Sequence, residues 1–370
     1  MTATAQLNAA APARTATRLE LFHPGWYAAV MGTAIVGIVA YQEPGHIAAL
    51  GGLLRALGVA MTALAALLAV GLGVPYVARW LRYPDAARRD FGNPLVGALY
   101  ATFPAGLLVL AVGVATVGSA VVTSDLAFAI SGALTALGIA LAVVVSVAFT
   151  VSLFAGPGVE PTAANGAWFI PPVVMIIVPV ALVPFASRVG APSAGLVLLA
   201  GYATWGVGLL LFVLVAAVLY GRLAMHPLPG APLAPSLWIP LGPAGAGGLA
   251  LVRLAQAGGP VWGDAAPGVL ALSTIGATAL WGFGLWWLAV AVALLVGYRR
   301  RGPLPYGVGW WAFTFPLGAF TALTVALARA WNAGILEALA ALLFVGLVAA
   351  WLIVAAGTVS AVRSGAAWRR

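Results

Sequence analysis

The stretch Gly309-Trp-Trp-Ala-Phe-Thr-Phe-Pro-Leu-Gly-Ala-Phe320 decides how this chain folds. It lies inside a long apolar run, yet it holds a proline, which removes a helical hydrogen bond and clashes with the preceding turn. A glycine follows two residues later, and Trp310, Trp311, Phe313, Phe315 and Phe320 crowd around the pair. The question is why an apolar helix is weakened at its middle and filled there with large rings.

The setting of that run is a membrane. The chain is 63% hydrophobic and only 7% charged, whereas a water-facing domain carries about 25% charged residues. Ten apolar runs are long enough to cross a bilayer, which takes roughly 20 residues each. Turn and charge signals place them at 24–42, 47–76, 94–117, 126–155, 166–187, 193–221, 235–257, 266–297, 306–329 and 332–361. The expected organisation is a disordered cytoplasmic tail at 1–20, a ten-helix all-α transmembrane domain at 21–362 and a cytoplasmic tail at 363–370. The first segment has Arg14 and Arg18 but no apolar core of the kind a signal peptide needs. There is no cysteine, so disulfides play no part.

All 17 basic residues are arginine. One set of loops and tails holds Arg14, Arg18, Arg79, Arg82, Arg88, Arg89, Arg222, Arg299, Arg300, Arg301, Arg363, Arg369 and Arg370, and the other holds Arg188 and Arg329. By the positive-inside rule the first face is cytoplasmic, with both termini on it; the expected location is the cell's plasma membrane. The net charge of +9 is therefore topological and not a nucleic-acid footprint. Arg55 and Arg253 lie within spans. They read as side chains reaching to the far surface, the alternative being an anion site in a pore or between subunits.

Weak points recur at a fixed period. Met31, Pro104, Pro172, Pro243 and Pro316 follow one another at intervals of 73, 68, 71 and 73 residues. Each period holds two spans, so the unit is a helical hairpin used five times. Five hairpins in a ring place the odd spans, with their small residues and breaks, around a central axis. At about 1.5 Å per residue, Phe315 lies roughly 14 Å into a core about 30 Å thick. Irregular backbone at that depth belongs in buried protein or along a watery path, where transport sites are built. The candidate pore-lining and kink residues are Met31, Gly32, Thr33, Thr102, Phe103, Pro104, Pro172, Gly242, Pro243, Thr314 and Pro316. Packing by itself also accounts for Phe313, Phe315 and Phe320.

The acidic residues point to the cargo. Glu43, Asp125, Glu160 and Asp264 sit at span ends or in loops, and Glu337 is near the start of the last span. A cation path needs carboxylates at depth, so small inorganic or organic anions fit better. His23, His46 and His226 show no metal-ligand spacing, and no nucleotide-binding loop or nucleophile elbow occurs, so no catalytic residue, metal or cofactor is expected. The alternative from another class is a membrane-embedded transferase without a pore.

The motifs HPGWYAAVMGTAIVG (23–37) and GWWAFTFPLGAFT (309–321) resemble the tellurite-resistance/dicarboxylate transporter family. This family takes in the bacterial TehA proteins, plant guard-cell slow anion channels, the yeast malate permease and fungal sulfite pumps. The similarity covers about residues 20–362, and Met31-Gly32-Thr33 is most similar to the malate and sulfite branch. The resemblance implies five hairpins in a quasi-fivefold array, a central pore lined by odd helices and a homotrimer with one pore per subunit. It also implies a phenylalanine gate on the ninth helix, at the position of Phe315. The expected cargo is a dicarboxylate such as malate, sulfite, or chloride and nitrate.

Overall fold

The computed structural model of the protein describes residues 16–368, so residues 1–15, Arg369 and Arg370 of the expected tails lie outside it. The described part of the first tail is docked: Thr17 donates to the Tyr83 hydroxyl at 3.0 Å, and the Glu20 carbonyl accepts from Arg79 Nε at 3.0 Å.

Ten membrane-length helical spans follow, and no strand occurs among the described residues. They run Pro24–Tyr41, Ala48–Arg82, Gly97–Ala120, Ser124–Phe154, Gly166–Ala186, Pro192–Met225, Ala231–Ala257, Gly259–Arg301, Val308–Ala330 and Gly334–Arg363. The second, sixth and eighth spans extend furthest past the sequence-based limits 47–76, 193–221 and 266–297. The α-helices of the even spans contain 30 to 36 residues. At about 1.5 Å per residue that is some 45–54 Å, against a core about 30 Å thick, so these helices tilt or protrude.

Burial separates the two classes. In the odd spans 72–89% of the most apolar window is buried, against 17–28% in the even spans. The neighbour relations explain the contrast. The first span packs on the third, the third on the fifth, the fifth on the seventh, the seventh on the ninth, and the ninth on the first. Each even span packs on its own odd partner and leans on the next odd span around the ring. The result is a closed inner ring of five helices within five outer ones. Leu53, Leu67, Leu81, Phe154, Leu196, Leu272 and Ile335 project from the outer helices, each two-thirds exposed or more. Such residues solvate well in lipid, where they need no protein partner.

Lipid is as apolar as leucine, so the inner ring is held by close packing and not by escape from water. Gly245 on the seventh span shows the requirement. A β-carbon there would come within 2.6 Å of the carbonyl carbon of Ala319 on the ninth span. The obstacle is backbone, which cannot swing aside.

At the arginine-rich face the short helix Pro84–Phe91 follows the second span. It anchors Arg79, which is only 3% exposed. The guanidinium meets Asp90 Oδ2 at 2.5 Å and the Tyr100 hydroxyl at 2.8 Å, as well as the Glu20 carbonyl. Removing one partner of a buried ion pair strands the other, at a cost of about 3–5 kcal/mol. Asp90→Ala is therefore expected to lower the unfolding temperature in detergent sharply, while Asp85→Ala, in an exposed pair with Arg88, leaves it almost unchanged. Equal effects from the two would show that Arg79 is sustained by its carbonyl and hydroxyl partners alone.

Candidate functional site

Each odd span is built from two helical forms. It opens as a 3₁₀ turn and becomes an α-helix at Ala28, Thr102, Ile170, Leu241 or Phe315. The prolines explain the joint. Pro104, Pro172, Pro243 and Pro316 all sit within the first three residues of an α segment. There the missing N–H has no partner to lose, and the ring blocks the α ladder from extending backward. The break is thus a change of helical type at the head of the α segment, not a kink within a continuous helix. Proline does fall inside α-helices elsewhere, at Pro75 of the second span and at Pro179 and Pro184 of the fifth. The 3₁₀ turn Val308–Phe313 climbs about 2 Å per residue, so Phe315 stands roughly 14 Å along the ninth span from Val308.

A cavity of about 590 Å³ enters the ring from the arginine-rich face. All five odd spans line it, and Met31, Thr102, Val173, Gly242, Phe315 and Pro316 are among its wall residues. Phe315 is 5% exposed, and its ring leans over Gly242: a β-carbon placed there would stand 3.6 Å from Phe315 Cε1. Glycine on the seventh span therefore makes the seat for the ring from the ninth. The five inner helices also run in one direction, with their N-terminal ends around this cavity. Helix N-termini carry a partial positive charge, so the chamber is favourable to anions although no arginine among the described residues lines it.

A second, smaller cavity of about 200 Å³ lies toward the opposite ends of the same inner helices. Its walls are Gln42, Arg253, Gln256, Ala322, Val325, Ala326, Arg329 and Ala330, from the ends of the first, seventh and ninth spans. Ala322 is seven residues beyond Phe315, about 10 Å along an α-helix. Among the described residues no carboxylate lines either cavity.

Several candidates from the sequence fall elsewhere. Phe103 turns outward and stacks on Tyr76 of the second span, with ring centroids 4.4 Å apart. Thr33 faces the tenth span, its hydroxyl accepting from Trp351 Nε1 at 3.0 Å. Gly32 fits against Thr314, whose hydroxyl is donated to the Trp311 carbonyl at 2.8 Å, so this pair forms the joint between first and ninth spans. Pro104, Pro172 and Pro243 are buried and do not line the cavity. Ile170, Val173 and Ile239 do line it and were not singled out from sequence. The repeat holds a signal for Ile170 alone: it and Thr102 each stand two residues before the repeat proline, whereas Val173 and Ile239 share no such offset.

A ring of inner helices with a cavity entering from each face defines a multi-pass membrane protein of the channel and transporter class. Residues 21–359 match the family model for voltage-dependent anion channels, named for SLAC1, and the chain belongs to that family. It is 32% identical to an uncharacterized transporter of Methanocaldococcus jannaschii over 82% of this chain and 83% of the relative. It is 26% identical to the sulfite efflux pump of Trichophyton rubrum, over 91% and 90%. The family and these relatives are channels and transporters, not enzymes, which removes the transferase alternative.

Proposed function

We propose that this chain moves small anions, sulfite foremost, down their own gradient along the axis of the five-helix ring, with Phe315 as the gate. The carrying observation is the large chamber in which all five inner helices present their N-terminal ends, without a carboxylate in its wall among the described residues. Phe315 stands at its inner end. An apolar ring there excludes water and raises the cost of stripping an ion's hydration, which is how apolar constrictions close a path. Sulfite is favoured among anions by the similarity to the fungal sulfite efflux pump. The arginine-rich face is read as cytoplasmic and the membrane as the plasma membrane.

The test is flux of sulfite, chloride, nitrate and malate from liposomes holding the purified protein, with the potential clamped. Anion-selective flux, fastest for sulfite, is the expected result. A reversal potential that follows the cation gradient sinks the reading, and malate or chloride moving fastest reassigns the cargo.

The assembly proposed is a homotrimer with one path per subunit, which rests on the family resemblance. The long apolar outer helices leave ample surface for such contacts. Native mass spectrometry from mild detergent should give three chains per particle, and a uniform monomer would overturn the assignment.

A further inference from the structure

The small cavity at the opposite face has the wrong electrostatics for an anion path unless something corrects it. The five inner helices all end there, and helix C-termini carry a partial negative charge. Two guanidiniums supply the correction. Arg253 stands four residues before the end of the seventh span at Ala257 and Arg329 in the last turn of the ninth, and both line the cavity.

Their partners leave capacity for a ligand. Arg329 donates to the Gln42 carbonyl through one terminal nitrogen. Arg253 has no hydrogen-bond or carboxylate partner among the described residues. Of the carboxylates at this face, Glu43 pairs with Arg55 at 2.5 Å, Glu337 accepts from Gly45 N at 3.1 Å, Asp125 lies 3.5 Å from Arg188, and Asp264 stands in the turn Gly263–Ala265; among the described residues none of them lines the cavity. The floor is Ala322, Val325, Ala326 and Ala330, too short to fill the space. The Gln42 side chain adds a third polar group, its Oε1 buried without a donor. A half-turn of that amide presents the NH₂ group instead.

We propose that Arg253, Arg329 and the Gln42 amide form a binding site for one small oxyanion at this mouth of the path. A guanidinium offers paired N–H donors in a planar fork, which matches two oxygens of an oxyanion better than it matches a spherical halide. The site lies beyond the Phe315 constriction, between Ala322, about 10 Å along the ninth span, and Arg329, about 21 Å along it. It is thus an exit or entry station on the far side of the gate. This rests on the anion-transport reading for its purpose, but binding itself can be tested separately.

The experiment titrates sodium sulfite and sodium chloride into the purified full-length protein by calorimetry, and measures flux from each face of liposomes in which the protein's orientation is known. Arg253→Gln is expected to weaken sulfite binding about tenfold or more, a loss of about 1.4 kcal/mol or more. Arg253→Lys should retain part of the affinity and lose the preference of sulfite over chloride. Arg329→Gln, at an exposed position, repeats the test should the Arg253 variant fold poorly. The half-saturating sulfite concentration should rise on the Arg253 face and stay within about twofold on the other, a shift of about 0.4 kcal/mol. If both glutamine variants bind sulfite as the wild type does and lose only thermal stability, the arginines merely cap helix ends and the site is refuted. Absence of sulfite binding in the wild type refutes it as well. Binding that depends on Arg253 in a protein that carries no anion across the bilayer supports the site and overturns the transport reading instead.

Discussion

Phe315→Ala is expected to raise anion flux roughly tenfold or more, which corresponds to removing a barrier of about 1.4 kcal/mol or more. The ring is held over Gly242 at the inner end of the large chamber and is nearly buried. Truncation leaves space that water can enter, and water there lowers the cost of passing an ion. Stability should fall less than the 3–5 kcal/mol of a fully enclosed phenylalanine, because one side of the ring already faces the cavity. Phe313→Ala is the matched control. Its ring packs against Trp238 and Trp310, at centroid distances of 5.5 and 5.8 Å, and does not line the chamber. That variant should lose stability and keep wild-type flux. Liposome flux with all four anions, together with size-exclusion profiles, separates the two. Unchanged flux in a well-folded Phe315→Ala protein would remove Phe315 as the gate.

Gly245→Val is expected to abolish the folded protein. The β-carbon alone meets the backbone of Ala319 and Phe320, and two further methyl groups have nowhere to go. Overpacking by even a methylene or two costs typically 1–3 kcal/mol, and here the displaced atoms belong to the neighbouring inner helix. Separating the seventh and ninth spans opens the ring at the contact that seats Phe315. Gly206→Val is the control: nothing lies within 4 Å of a β-carbon at that position on the sixth span. It should elute and unfold as the wild type does. A monodisperse Gly245→Val protein with normal unfolding temperature would mean that the seventh and ninth spans can separate without loss of the fold.

The membrane class, the ten spans and the division into inner and outer helices were legible in the sequence. Each is set by local quantities: the length of an apolar run, the placement of arginine, and the spacing of proline and glycine. The period of weak points correctly picked out the odd spans because small and helix-breaking residues are tolerated where another helix or a cavity stands beside them. The same residues misled at finer scale. A proline marks the level of a joint, not the direction of its neighbours, so Phe103 beside Pro104 turned out to stack on an outer helix while Thr102 lines the chamber. Facing is decided by how 3₁₀ and α segments meet, since the two turn by different angles per residue. Arg253 and Arg329 lie 76 positions apart in the chain, and no local pattern pairs them. They share a cavity because the seventh and ninth spans are adjacent in the ring and end at the same face. Burial, ring closure and the meeting of distant charges depend on contacts between segments, and only the tertiary structure decides those.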